Sequence, residues 1–284
     1  MLGAARAPQA IALKDGDAAH TYEALAREME RFAAALKALG LGRGERVGIY
    51  LDKRVETVVA SFGAPAAGGV FVPINPLLKP EQVAYIVQDC GVRVLVTSPE
   101  RLQSLQAVLA GCRSLQHVIV TGQSAVTAAP TAVHLWSEVL DAAPSVPHRV
   151  IDSDIVAILY TSGSTGRPKG VVLSHRNMVA GAKSVASYLE NRPDDVLLAA
   201  LPLSFDAGFS QLTTGFHAGA TVVLLNYLLP KDVVKAVVTH RVTGLTAVPP
   251  LWIQLTQAPW PEGTADTLRY FANTGGRMPL DTLQ

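Results

Sequence analysis

Cysteine is scarce in this chain: Cys90 and Cys112 are the only two. Two thiols cannot build the disulfide framework of a small secreted scaffold. Neither lies at the close Cys/His spacing of a zinc site, so no metal ligands are assigned. Both read as reduced thiols of a cytoplasmic protein. Charge is also sparse, at 17% Asp, Glu, Lys and Arg, and it is balanced: 24 Lys+Arg against 23 Asp+Glu leave a formal net charge of +1. Without a basic surplus, nothing marks the chain for nucleic acid or an anionic membrane. No apolar signal-peptide core occupies Met1–Gln9. Thr57–Leu78 and Ala207–Pro230 carry no Asp, Glu, Lys or Arg and are long enough to span a bilayer. Pro65, Gly68, Gly69, Pro73 and Pro76 break the first, and Gln211, Thr213, Thr214, His217 and Asn226 make the second too polar. No transmembrane segment is expected. With 49% hydrophobic residues the chain is too apolar for disorder, and its 284 residues suffice for a large α/β unit or two domains.

What is present is a regular alternation. Apolar residues at helical spacing fill Thr21–Leu39, which stops at Gly40. Strand and helix patterns then alternate: Arg46–Leu51, Glu56–Ala67, Val70–Ile74, Glu81–Cys90, Val92–Thr97, Arg101–Ala110 and His117–Val120. A soft Ala/Thr/Pro stretch, Thr121–Val133, reads as a linker. The second half repeats the alternation from Ile155–Thr161 to Arg269–Ala272. Short apolar strands separated by helices predict an α/β fold with mostly parallel sheets covered on both faces. Ligands in such folds bind at the carboxyl ends of strands.

Residues 160–170 read Tyr-Thr-Ser-Gly-Ser-Thr-Gly-Arg-Pro-Lys-Gly. Gly163 and Gly166 let backbone amides turn toward a ligand, the hydroxyls of Thr161, Ser162, Ser164 and Thr165 add donors, and Arg167 and Lys169 add charge. That set suits a polyphosphate, whose oxygens only accept hydrogen bonds. It is not a Walker A loop: Pro168 precedes the lysine and Gly170-Val171-Val172-Leu173 follows, so a strand, not a helix, is expected there. Composition alone also allows a flexible polar hairpin.

Ile158–Gly170 closely resembles the phosphate-binding signature of the adenylate-forming superfamily: acyl-CoA synthetases, peptide-synthetase adenylation domains and beetle luciferases. Other segments agree in order. Thr21–Leu25 looks like the family's first helix, and Gly68–Pro76 is similar to its second motif. Leu201–Phe209 resembles the segment bearing the acyl-pocket aromatic, and Thr274–Pro279 the adenine-binding turn. The wording around Leu201–Leu229 and Gly275–Pro279 looks most like acyl-CoA ligases associated with bacterial exosortase systems.

The resemblance implies an AMP-forming ligase. A carboxylic acid and ATP, with Mg2+, give an acyl-adenylate and pyrophosphate, and a thiol, usually of coenzyme A, displaces AMP. Thr161, Ser162, Gly163, Ser164, Thr165, Gly166 and Lys169 would hold the phosphates, with Lys169 and Thr165 in the catalytic role. Gly275, Gly276 and Arg277 would line the adenine and acyl group. Phe205, Asp206 and Phe209 would meet the acid, although Phe205 also suits a core and Asp206 a helix cap. Ser204-Phe205-Asp206 resembles peptide-synthetase domains, where this aspartate pairs with a substrate amine; an amino- or hydroxyl-bearing acid and a carrier-protein thiol follow from that likeness. His175 reads as a helix-start residue and His217 as structural. Two subdomains, 1–150 and 151–284, are implied. The family's magnesium glutamate, ribose aspartate and adenylation lysine follow the adenine turn. The resemblance therefore covers the first part of a large N-terminal domain, truncated, without the C-terminal domain. A non-catalytic nucleotide-binding fragment is the alternative.

Overall fold

The computed structural model describes residues 5–122, 131–143, 146–161 and 167–283. The chain opens with β1 (Ile11–Asp15) and β2 (Ala18–Thr21), an antiparallel pair turned at Gly16, whose φ of +57° favours glycine. Helix α1 (Tyr22–Ala38) buries Leu25, Met29, Phe32 and Leu36, the stripe its helical spacing dictates. There follow β3 (Arg46–Tyr50), α2 (Val55–Ala66), β4 (Val70–Pro73), α3 (Pro80–Asp89), β5 (Val92–Thr97) and α4 (Pro99–Leu109). Both α3 and α4 start on a proline, whose missing N–H costs nothing in a first turn. Next come β6 (His117–Val120), β7 (Ala132–Leu135), α5 (Trp136–Leu140), β8 (Ile155–Thr161) and β9 (Lys169–Ser174). The last stretch holds α6 (His175–Tyr188), β10 (Val196–Ala199), α7 (Asp206–Ala218), β11 (Thr221–Leu224), α8 (Pro230–His240), β12 (Gly244–Ala247), α9 (Pro249–Thr256), β13 (Tyr270–Asn273) and α10 (Leu280–Leu283).

These elements divide into two compact units, residues 25–178, and residues 1–24 with 179–284. In residues 25–178 the described strands form one sheet in the order β7-β6-β5-β3-β4-β8-β9. Its neighbours run parallel except β8 and β9. Val72, Ile74, Val83, Ile86, Leu95, Leu102 and Leu105 pack into its core. Cys90 and Cys112 are free thiols in this unit, and burial raises the pKa of both.

The other unit has the order β13-β12-β10-β11-β1-β2, parallel except for the β1–β2 pair. Leu13 of β1 lies opposite Val222 of β11, and Thr221 Oγ1 donates to Ile11 O at 2.8 Å. Leu198, Val223, Val233, Val237, Leu245 and Leu251 form its core.

This division differs from the break expected at 150/151. Phe71 of β4 pairs with Ala157 of β8, so residues 155–174 complete the sheet of the preceding segment. The β1–β2 pair joins the later strands instead. Most of the linker expected at Thr121–Val133 lies outside the described residues, and its end enters β7. Among the described residues no helix is long and apolar enough to cross a membrane.

Candidate nucleotide and acid sites

The phosphate-loop candidate is the connection of the β8–β9 hairpin. The ladder runs from Ile155↔Ser174 to Tyr160↔Gly170 and ends on Thr161↔Lys169. Directly opposed residues of an antiparallel pair project from the same face, so the Thr161 hydroxyl and the Lys169 ammonium share one face at the loop's base. Lys169 thus opens a strand, as the Pro and β-branched residues around it dictate. Both residues are exposed, and among the described residues no carboxylate pairs with Lys169. Ser162, Gly163, Ser164, Thr165 and Gly166 lie outside the described residues.

Both sides of the loop base are tied to α3. Tyr160 donates its hydroxyl hydrogen bond to Asp89 Oδ2 at 2.5 Å, and Tyr85 donates to Pro168 O at 3.3 Å. Burial, then the bond to Asp89, pushes the Tyr160 phenol far above its usual range, so it stays a donor. Gly170 permits the tight hairpin: a Cβ there would lie 2.6 Å from Ile158 Cγ2. His175 opens α6, its backbone N–H donating to Asp154 O at 2.9 Å, and burial lowers its pKa.

In the unit holding residues 179–284, a cavity of about 170 Å³ lies beside α7, lined on the helix by Asp206, Ala207, Ser210, Gln211 and Thr214. Gly208 sets the start of this helix, because a Cβ there would lie 1.9 Å from Pro202 O. Gln211 is consumed structurally, accepting from Leu201 N at 3.2 Å and donating to Leu198 O at 2.8 Å. The N-cap of α7 is Phe205, with no side-chain cap bond, so Asp206 does not cap the helix. It sits exposed in the first turn, where the helix dipole favours a carboxylate. Phe205 is 39% exposed and does not line the cavity. Phe209 is 1% exposed and is absent from the lining of this cavity. His217 is exposed in the last turn.

The cavity's far wall comes from β12 and β13, through Gly244, Thr246, Tyr270, Ala272, Asn273 and Thr274. After β13 the chain turns at Gly275, φ +75°, and Asn273 Nδ2 donates to Gly276 O at 2.7 Å. Gly275, Gly276 and Arg277 are all exposed, leaving this backbone open to a flat ligand. A second hollow of about 330 Å³ is mostly apolar, with Trp252, Trp260, Phe271 and Met278 in its wall. Sequence reasoning missed Ser210, Thr214 and Tyr270. Asp206, Ser210 and Thr214 recur every four residues, a polar stripe that was available as a signal. Tyr270 gave none, because only the β12–β13 pairing brings it to the cavity.

Among the described residues no three His, Cys, Asp or Glu side chains gather as a metal cage. Mg2+ typically takes only one or two carboxylates together with substrate phosphates.

The sequence profile of the AMP-binding enzymes matches residues 3–284. A fatty acid–[acyl-carrier-protein] ligase, ScoC of Streptomyces coeruleorubidus, is 37% identical over 81% of this chain and 43% of its own. A feruloyl-CoA synthase of Amycolatopsis sp. is 31% identical over 96% of this chain and 53% of its own. The crystal structure of ATP-bound MatB from Rhodopseudomonas palustris superposes with a TM-score of 0.83 at 25% identity, covering 96% of this chain and 53% of that one. The chain thus spans about half the length of the curated relatives it matches. A profile match running nearly end to end, on an α/β fold shared with an ATP-bound member, settles the grouping: this chain belongs to the family of AMP-binding enzymes, the adenylate-forming ligases.

Proposed function

We propose that the chain carries the ATP- and acid-binding portion of an AMP-forming acid–thiol ligase. The acid's carboxylate oxygen bonds to the α-phosphorus of ATP as the bond to the β-phosphate oxygen breaks, giving an acyl-adenylate and pyrophosphate. A thiol then attacks the acyl carbon and AMP leaves. Little of this needs a proton-transferring side chain, so the protein's part is positioning and charge stabilisation. Lys169 neutralises the phosphates, with Thr161, Ser162, Gly163, Ser164, Thr165 and Gly166 of the loop as their further partners. Gly275, Gly276 and Arg277 receive the adenine. Asp206 and the cavity beside α7 receive the acid, while Phe205, outside the cavity lining, stands at the exposed start of the helix. The observation that carries the proposal is the hairpin register, which sets an exposed lysine and a hydroxyl on one face at the root of a glycine- and hydroxyl-rich loop.

Coenzyme A is the thiol in this reading. The resemblance to a carrier-protein ligase at 37% identity favours a second reading, a carrier-bound thiol. Calorimetric titration of the chain with ATP tests the core of the proposal. Replacing Lys169 with Ala removes a charge-assisted contact, for which about tenfold or greater loss of affinity is expected. Equal ATP affinity in both proteins refutes the phosphate role.

A further inference from the structure

The cavity beside α7 has two chemically different ends. Asp206, Asn273 and Thr274 line it toward the carboxyl ends of the strands, while Leu197, Gly244 and Tyr270 line it near their amino ends. From Asp206 to Thr214 the helix rises about 12 Å, at ~1.5 Å per residue. The cavity between them holds about 170 Å³.

Tyr270 is held there by a defined network. Asp195, 3% exposed, accepts from Arg269 Nη2 at 2.6 Å, Thr243 Oγ1 at 2.7 Å and Asn191 Nδ2 at 3.3 Å. A carboxylate only accepts, so the Asn191 group facing it is the NH2. That same Nδ2 donates to the Tyr270 hydroxyl oxygen at 3.0 Å. Tyr270 is therefore an acceptor toward Asn191, and its own proton is left for another partner. Among the described residues the Tyr270 hydroxyl donates no hydrogen bond. Gly244 makes the placement possible, since a Cβ there would lie 2.3 Å from the Tyr270 hydroxyl oxygen.

The geometry points to an acid bearing a hydrogen-bond-accepting oxygen at the end remote from its carboxyl group, received by the Tyr270 hydroxyl. This rests on the proposed reading of the cavity as the acid site. Tyr270 is then a specificity residue, and Asn191 positions it.

The test uses two acids of equal size, 4-methoxybenzoate and 4-ethylbenzoate, titrated into the 284-residue chain by ligand-observed NMR. The methoxy acid binds the wild-type chain more tightly. Tyr270→Phe lowers the ratio of the two affinities about two- to tenfold, the worth of one hydrogen bond, while 4-ethylbenzoate binding holds. Equal wild-type affinities, or a preference that survives Tyr270→Phe, overturns the inference. The wild-type comparison decides the matter alone if circular dichroism shows the variant unfolded. If neither acid binds while ATP binds in a Lys169-dependent way, the inference falls and the nucleotide reading stands. If ATP does not bind, that reading falls on its own test.

Discussion

Replacing Gly208 with Ala sets two opposing effects against each other. Within a helix, Ala is normally worth about 1 kcal/mol over Gly. At Gly208 the added methyl would begin 1.9 Å from Pro202 O, a separation that real Cβ atoms essentially never show. Backbone must move by about 1 Å, and both sides are held. Pro202 O accepts from Phe205 N at 3.3 Å, and the helix is pinned by the buried Gln211 and Phe209. Overpacking against backbone belongs at the upper end of its usual cost, about 3 kcal/mol, so a net loss of about 2 kcal/mol is expected after the propensity gain. Gly181 is the matched control: it is exposed within α6, and a Cβ there meets nothing within 4 Å. Gly181→Ala should gain about 0.5–1 kcal/mol. Urea unfolding followed by circular dichroism reads both variants. A Gly208→Ala protein as stable as wild type, or a Gly181→Ala protein that loses equally, would refute the reasoning.

Asp195→Ala strands the Arg269 guanidinium and the Thr243 and Asn191 donors, and a loss of about 3 kcal/mol in the same assay is expected for a broken buried pair. Burial pushes the Asp195 carboxyl up, but Arg269, Thr243, the Arg192 amide and Asn191 outweigh it and hold the pKa below the usual carboxylate range. The folded value is depressed, so this contribution is complete above the unfolded value near ~3.9 and fades as pH falls through the folded one. Acid titration of stability should therefore show a component below about pH 4 that Asp195→Ala lacks; identical acid limbs count against it. Gly170→Ala should loosen the hairpin and weaken ATP binding together, by calorimetry, and retention of both would separate the loop from its base.

Much of this architecture was legible in the residues. Val92–Thr97, His117–Val120 and Ile155–Thr161 fall where their apolar runs place them, and the strand after Pro168 follows from its β-branched residues. What sequence could not give was partnership at long range. Ile11–Asp15 is an unremarkable short run that becomes a strand by pairing with residues near 222, and Ala132–Leu135 was hidden in a soft stretch. The same blindness left Tyr270 unnoticed, because its place at the cavity depends on which strand lies beside which. Phe209 shows the converse limit: a motif match identifies a segment, but the depth of each side chain, 1% exposure for Phe209 against 39% for Phe205, comes only from the packed helix.

The docking of β1 against β11 has a consequence for biosynthesis. Residues 25–178 are contiguous and can complete their sheet as soon as they clear the ribosome. The opening strand cannot: Leu13 waits for Val222, and the Tyr22 hydroxyl for the Ala220 carbonyl, 198 positions later. Such distant pairing is slow, since a long loop must close before any contact rewards it. During translation the β1–β2 pair therefore keeps one edge, that of β1, without its parallel neighbour until β11 emerges. Mutations that weaken the β1–β11 seam should lower the yield of native protein before they measurably alter the finished molecule.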